Sequence, residues 1–230
     1  GLKAKDAALR EVVMTDVSPY SLGVSVSRRL NGSMVSNGHF DPIIERNTVV
    51  PVSRSKSYVP MADRQAFIEL EVYQGESRMV QDNIHLGNLR VPLPRLLVQD
   101  ASVDVRFTYD VNGLLQVEAT VAKTQERFSL VVEGNPGLLS QEEIQERLKA
   151  LDTLKIHPRE QAENRAVLAK AERIYQQLKG EVREWLAVEI LQFERALATQ
   201  DARAVTIAQR RLKEQLEQIE RDGFLSDGPA

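Results

Sequence analysis

The sequence predicts an α+β protein in which an antiparallel β-sandwich of about eight strands is followed by an α-helical bundle. From residue 16 to about residue 134, apolar and polar residues alternate in short stretches, as expected of strands with one buried face. After Gly134 the apolar spacing lengthens to three or four residues, and glycine and proline become scarce. We therefore place the sandwich at residues 16–134 and the helical part at residues 135–230.

Turn residues divide the sandwich into strands. Residues 105–109 and 115–119 flank Asn112-Gly113, a pair that adopts the positive φ angles of a tight turn, so the two segments should form a hairpin. The same pattern at Asn31-Gly32 and at Asn37-Gly38 predicts two more turns. The other strands are expected at residues 21–27, 49–58, 67–73, 84–91 and 128–132.

Caps and periodicity place the helices. Ser140 and Glu143 have the spacing of a capping box, so a helix should begin there, and His157-Pro158 should break or kink it. Further helices are expected at about residues 159–178 and 201–221, with another between them, and the three should pack as a small bundle. The expected core face of the middle helix comprises Val182, Trp185, Leu186, Glu189, Phe193 and Leu197, and that of the last comprises Val205, Ala208, Leu212, Leu216 and Ile219.

Composition argues against several functions. The net charge of −3 gives no basic surface for nucleic acid, and the absence of cysteine excludes disulfides and thiolate metal sites. The three histidines, His39, His85 and His157, lack metal-ligand spacing, and no phosphate-binding glycine motif occurs. We expect no catalytic residue, metal or cofactor in this chain. No apolar stretch predicts a membrane span or a signal peptide, and we expect a cytoplasmic protein.

Six motifs follow one another along the predicted sandwich. They are Asp16-Val17-Ser18-Pro19-Tyr20-Ser21-Leu22-Gly23, Arg46-Asn47-Thr48-Val49-Val50-Pro51, Val72-Tyr73-Gln74-Gly75-Glu76, Asp82-Asn83, Leu86-Gly87 and residues 107–115. Together they resemble the substrate-binding domain of the seventy-kilodalton heat-shock (DnaK-like) chaperone family. Gly137-Leu138 and the acidic helix after it resemble the start of the family's helical lid.

The resemblance implies a function and a set of partners. Residues 1–15 would be the end of an ATPase domain and the interdomain linker, with Val12, Val13, Met14 and Asp16 as linker residues. The domain would clamp extended hydrophobic segments of unfolded polypeptides. ATP and Mg bound by an ATPase domain outside this chain would control its affinity. A J-domain co-chaperone would be a further partner, whereas nucleic acid and membranes would not.

The resemblance also implies site residues. The peptide-binding positions would be Leu22, Val24, Val26, Ser27, Tyr58, Met61, Gln65, Ile68 and Leu70, with Ser27 and Met61 meeting as an arch over the channel. Latch pairs would join Arg95 to Glu172 and Asp63 to Gln176. From the pattern alone, the alternating aliphatic residues could equally be ordinary sandwich core, and Met61 could simply cover apolar surface.

Two further interpretations remain open. The linker ending Val12-Val13-Met14-Thr15, an insertion between Gly23 and Asn47, and a truncated C-terminus resemble the bacterial HscC branch of the family, and the segment at residues 91–95 is shortened. The alternative function is a non-catalytic adaptor, in which Trp185, Phe193 and the apolar face of the last helix form an oligomer interface. A homodimer through the helical region is compatible with that alternative.

Overall fold

The computed structural model describes residues 16–30, 34–134 and 139–221. The chain forms two compact units that divide between Lys155 and Ile156. Strands give way to helices after residue 134, as the sequence indicates, but the first helix packs in the same unit as the strands. The change in secondary structure and the division between the compact units therefore fall at different points of the chain, and the predicted domain limits stay predictions.

Eight strands form the sandwich, and every pairing between them is antiparallel. They are β1 (Leu22–Leu30), β2 (Met34–Ile44), β3 (Val52–Tyr58), β4 (Phe67–Gln74), β5 (Ile84–Pro92), β6 (Val103–Tyr109), β7 (Leu114–Val121) and β8 (Arg127–Glu133). The first sheet has the order β2-β1-β4-β5, and the second has the order β3-β6-β7-β8. The predicted fold class is confirmed. The turn predicted at Asn31-Gly32 lies outside the described residues.

The sandwich core lies between the two sheets and is built from alternate residues of each strand. Val24, Val72 and Val91 of the first sheet are at most 1% exposed, and Val105 and Phe107 of the second are fully buried. Because successive strand residues point to opposite faces, the two-residue period of the sequence produces this core. Burial of each such aliphatic side chain contributes roughly 1.5–3 kcal/mol to stability.

The hairpin predicted at Asn112-Gly113 joins β6 to β7. Gly113 has a φ of 84°, as a tight turn of this kind requires. The Asp110 Oδ1 atom accepts hydrogen bonds from the backbone N–H groups of Asn112 at 2.8 Å and Leu114 at 2.7 Å. The aspartate thus satisfies two donors that the turn would otherwise leave unpaired.

The turn predicted at Asn37-Gly38 is wrong, because both residues lie within β2. The register of β1 with β2 shifts between Val26 and Arg28, so that Ser27 faces both Asn37 and Gly38. This two-against-one arrangement is a β-bulge, and Gly38 supplies its positive φ of 75°. A glycine that permits positive φ serves a bulge as readily as a turn, so the dipeptide alone could not distinguish them.

The helices are α1 (Gln141–Ala150), α2 (Ala162–Gln177), α3 (Gly180–Thr199) and α4 (Ala202–Arg221). The capping box at α1 is confirmed: the Ser140 N–H donates to Glu143 Oε2 at 2.8 Å, and the Glu143 N–H donates to Ser140 Oγ at 3.2 Å. Hydrogen bonding of the Glu143 carboxylate by the backbone N–H of Ser140, and then by its side chain, lowers the pKa of Glu143. α2 begins later than predicted because Pro158–Glu160 forms a separate 3-10 turn.

α1 packs on the sandwich through a small apolar cluster and an ion pair. Ile144 and Leu148 of the helix are buried with Leu114 of β7. The Arg147 guanidinium lies 3.6 Å from the Asp110 carboxylate that organises the β6–β7 turn. These contacts explain why the first compact unit extends beyond the last strand.

α2, α3 and α4 form a bundle with its own core. Its buried residues are Val167, Ala171, Ile174, Leu178, Leu186, Ile190, Phe193, Leu197, Val205, Leu212, Leu216 and Ile219. The buried Glu189 carboxylate accepts a hydrogen bond from Arg211 at 2.7 Å. Trp185 does not join the core face predicted for it and is 43% exposed, because 3.6 residues per turn rotate it away from the face centred on Leu186 and Ile190.

Candidate functional site

The two central strands of the first sheet, β1 and β4, are joined at one end only. The paired residues are Leu22 with Gln74, Gly23 with Tyr73, and Val24 with Val72. Beyond Val24, β1 continues along β2, while the first half of β4 pairs with β5. We call the gap between residues 25–30 of β1 and residues 67–71 of β4 the seam. No described strand fills it, so both of its edges carry backbone groups without a strand partner.

Burial decreases along both strands as they approach the seam. Leu22, Val24 and Leu70 are 3%, 1% and 3% exposed and belong to the sandwich core. Val26 and Ile68 are half-buried and pack on that core from its edge. Since each lies two residues along its strand from a buried neighbour, Val26 and Ile68 are on the same face as the core residues. Of these predicted wall residues, only these two have an accessible side-chain surface at the seam.

Tyr58, another predicted wall residue, is half-buried at the end of β3. Its hydroxyl donates to Asp41 Oδ2 at 2.7 Å, and Lys56 Nζ approaches Asp41 Oδ1 at 3.2 Å. Burial, followed by the neighbouring carboxylate, raises the pKa of Tyr58, so the phenol remains a neutral donor. This contact ties β3 of one sheet to β2 of the other and fixes the start of the loop that follows β3.

The loop at residues 59–66 is hydrogen-bonded to both sides of the seam. Arg29 Nη2 of β1 donates to the Met61 carbonyl oxygen at 2.8 Å. The Gln65 side chain accepts from the Met61 N–H at 3.1 Å and donates to the Phe67 carbonyl oxygen at 2.7 Å. We call these contacts the bridge. It joins β1 to β4 at the end opposite their paired residues, so the seam is bounded at both ends.

Arg29 is not among the predicted site residues. Ser27 is the β1 residue predicted to lie opposite Met61, whereas the described hydrogen bond from β1 to Met61 comes from Arg29. Ser27 lies at the bulge and is half-buried. The available indication was the pair Arg28-Arg29, which interrupts the alternation at the end of an apolar strand. The role of Ser27 in an arch stays a prediction.

Asp63 holds the bridge loop against the segment after β5. Its Oδ1 atom accepts a hydrogen bond from the Val98 N–H at 2.8 Å, and the Arg64 N–H donates to the Leu96 carbonyl oxygen at 2.7 Å. Arg95 is exposed within the same segment. The other predicted latch residues, Glu172 and Gln176, are exposed on α2 in the second compact unit, and the latch pairs stay predictions.

Two of the motifs lie side by side at the start of the sandwich. The Val50 N–H donates to the Asp16 carbonyl oxygen at 3.0 Å, and the Ser18 N–H donates to the Thr48 carbonyl oxygen at 2.8 Å. Asn47, with a φ of 63°, allows the chain to turn here. Asp16 is the first described residue, and Val12, Val13 and Met14 lie outside the described residues.

A third motif meets these two through Glu76. Its carboxylate accepts hydrogen bonds from the Ser21 N–H at 2.8 Å and from the Ser21 hydroxyl at 3.1 Å. The same hydroxyl accepts from the Arg46 N–H at 3.0 Å. Three motifs that are distant in sequence therefore anchor the paired end of β1, from which the strand diverges to form the seam.

The described side chains at the seam suit binding of an extended chain. Its floor is aliphatic, and its edges are strand backbone that can accept an added chain through main-chain hydrogen bonds. Within residues 16–30, 34–134 and 139–221, no group of histidine, aspartate and glutamate could hold a metal ion. In the same ranges, no helix has the length and apolarity needed to cross a membrane.

The fold and the seam define a two-part module, an antiparallel β-sandwich with a partly unpaired sheet followed by a helical bundle. The Hsp70 protein family model matches residues 2–226, and the chain belongs to the Hsp70 family.

Three relatives illustrate the match. The chaperone protein DnaK of Ureaplasma urealyticum is 30% identical over 177 residues, which cover 75% of this chain and 27% of the relative. DnaK of Thermotoga maritima is 35% identical over 144 residues, covering 61% and 22%. A heat shock protein of Pyricularia oryzae is 30% identical over 159 residues, covering 69% and 24%. The chain thus spans about a quarter of the length of these relatives.

Proposed function

We propose that this chain is the substrate-binding part of a molecular chaperone and that the seam clamps extended hydrophobic segments of unfolded polypeptides. The observation that carries the proposal is the incomplete pairing of β1 with β4 beneath a hydrogen-bonded bridge. A bound segment would place an aliphatic side chain between Val26 and Ile68 and pair its backbone with the strand edges. Folded proteins seldom offer such a segment, which would restrict clients to unfolded chains.

Modest individual energies favour a broad range of clients. Burial of one leucine contributes roughly 1.5–3 kcal/mol, and each backbone hydrogen bond contributes about 0.5–1.5 kcal/mol net. Several backbone contacts would be required together with the one buried side chain. Because backbone contacts do not read side-chain identity, selectivity would rest on extended conformation and an aliphatic centre.

Fluorescence anisotropy with a labelled leucine-centred peptide tests this proposal. We expect saturable binding, and we expect a peptide with proline at its centre to bind at least about tenfold more weakly, since proline removes a backbone donor. The variant Ile68→Phe should fill the seam and weaken binding by a similar factor. Its matched control is Ile84→Phe, because Ile84 begins β5 and is 62% exposed. Equal affinity for both peptides, or for both variants and the unaltered chain, would refute the clamp.

We also propose that the helical unit acts as a lid that slows peptide release. The Arg95–Glu172 and Asp63–Gln176 pairs would hold it closed, although an exposed ion pair contributes only about 0–1 kcal/mol. Arg95→Ala should therefore accelerate peptide dissociation by a factor of roughly two to five. Stopped-flow displacement measures that rate. An unchanged dissociation rate in a correctly folded variant would contradict the proposed latch.

For the full-length protein, we propose allosteric control by ATP and Mg bound in an ATPase domain outside this chain, with a J-domain co-chaperone promoting hydrolysis. Nucleotide can alter peptide affinity only if the two states bind peptide differently. Peptide release from the full-length protein should be faster with ATP than with ADP. Equal release rates with the two nucleotides would contradict the coupling.

The HscC-branch assignment and a cytoplasmic location remain proposals. In favour of the branch, the insertion after Gly23 includes the ends of β1 and β2, which extend their hairpin to residue 30 and back from residue 34. Of the residues that the adaptor alternative assigns to an interface, Phe193 and the apolar face of α4 are buried inside the bundle, whereas Trp185 is 43% exposed. We therefore favour the clamp over the adaptor.

A further inference from the structure

The rim of the seam carries an excess of positive charge. It consists of three segments: residues 25–30 at the end of β1, the bridge loop at 59–66, and residues 93–97 after β5. Their charged residues are Arg28, Arg29, Arg64, Arg95 and Asp63. The chain as a whole has a net charge of −3, so this surface departs in sign from the rest of the molecule.

Hydrogen bonds join the three segments that carry these cations. Arg29 contacts the Met61 carbonyl at 2.8 Å, which joins the end of β1 to the bridge loop. Arg64 contacts the Leu96 carbonyl through its backbone at 2.7 Å, which joins the loop to the segment that contains Arg95. Arg28 lies two residues beyond Val26 on the same strand, at the mouth of the seam.

Nearby carboxylates offset the positive charge of the rim only in part. Asp63 accepts the Val98 N–H at 2.8 Å. On the β4 edge of the seam, Glu69 lies opposite Arg90 of β5 and is followed by Glu71. Arginines still outnumber carboxylates around the seam. Arg28, Arg64 and Arg95 are exposed, and in the part of the chain that the structure describes no salt bridge joins them to a carboxylate. A ligand crossing the seam would therefore meet cations whose charge is available to it.

We propose that the rim selects, among extended aliphatic segments, those with aspartate or glutamate beside the aliphatic centre. This inference rests on the clamp function proposed above and names its preferred substrate class. Complementary charge at a rim raises the association rate of oppositely charged segments and disfavours segments of like charge. Both effects weaken as salt screens the charges. Segments flanked by lysine or arginine would be disfavoured at the same site.

Four labelled peptides test the preference by anisotropy. Three share a leucine centre and carry aspartate, serine or lysine flanks, and the fourth has aspartate flanks around a serine centre. We expect each acidic flank to tighten binding roughly two- to fivefold over serine, because exposed ion pairs are weak, and each basic flank to weaken it. The differences should shrink as salt rises from about 50 to 500 mM.

A charge-matched pair of variants assigns the effect to the rim. Arg28→Gln with Arg64→Gln should reduce the ratio of affinities for the acidic and basic peptides. Lys123→Gln with Arg127→Gln, at the exposed β7–β8 turn, should leave that ratio unchanged. Equal affinity for the three leucine peptides would overturn the preference while leaving the clamp intact. Failure of the serine-flanked leucine peptide to bind, or equal binding of the fourth peptide, would overturn the clamp itself.

Discussion

The two sheets of the sandwich have the same number of strands but different central pairs. In the second sheet, β6 and β7 pair over seven positions, from Val103 with Val121 to Tyr109 with Leu115. In the first sheet, β1 and β4 pair over three positions and then separate. One sheet is continuous across its middle, and the other is open there.

This difference separates the sheet that supplies most of the fully buried core from the sheet at which we propose peptide binding. The continuous sheet supplies fully buried residues such as Phe107 and Val117, and α1 packs against its strand β7. The open sheet keeps a buried base at Val24 and Val72 but leaves strand edges unpaired above it. A strand edge without a partner is prone to unwanted pairing with other chains. In this sheet the bridge loop and the bulge of β2 lie beside the unpaired edges, and covering loops and bulges are features that limit such pairing.

The largest loss of stability is expected from a substitution in the core of the continuous sheet. Phe107→Ala should lower the free energy of unfolding by about 3–5 kcal/mol, because a fully buried ring is replaced by a cavity. Phe67→Ala at the seam is the matched control. Its ring is 37% exposed beneath the Arg90 guanidinium, and the loss should be about 1 kcal/mol or less. Urea denaturation measures both, and similar losses would contradict the division between the sheets.

A smaller effect is expected at the paired end of β1. Gly23 lies so close to β2 that an added Cβ atom would overlap the Asp41 carbonyl oxygen, so Gly23→Ala should destabilise the chain by about 1–3 kcal/mol. Ser25→Ala, at the next position on the same face of the strand, should change stability by less than about 0.5 kcal/mol. If thermal unfolding showed the two variants to be alike, the close approach of β1 to β2 would be wrong.

The smallest effect concerns the bridge. Arg29→Ala removes the donor to the Met61 carbonyl, so opening of the bridge should cost about 1 kcal/mol less free energy than in the unaltered chain. We therefore expect peptide release to accelerate roughly fivefold, and the free energy of unfolding to fall by no more than about 1 kcal/mol. Arg127→Ala on the second sheet controls for the lost charge. A release rate that matches this control would show that the bridge does not retain peptide.

Local patterns predicted most of the fold. Alternation identified the strands, and spacing identified the capping box at Ser140, because these features depend on neighbours in the sequence. The β-bulge at Gly38 was mistaken for a turn, since both use the same positive φ. The core face predicted for α3 includes Trp185, which the structure leaves exposed. Which residues of a helix are buried depends on the helices that pack against it, and the sequence of that helix alone does not contain this information.

The site was less predictable than the fold. Motif resemblance indicated Val26 and Ile68, and their half-burial at the seam could not be read from alternation alone. Arg29 was missed because its role depends on a loop more than thirty residues away, at Met61. The separation of β1 from β4 is likewise a property of register, which no single strand encodes.

The bridge also has an evolutionary consequence. Arg29 grips a carbonyl oxygen, and Gln65 engages the amide of Met61 and the carbonyl of Phe67, so none of these attachments uses the side chain at position 61 or 67. Substitutions at positions 61 and 67 could therefore accumulate while the bridge hydrogen bonds persist. If the seam binds peptide as we propose, such substitutions would change which peptides it accepts without changing the backbone that bounds it.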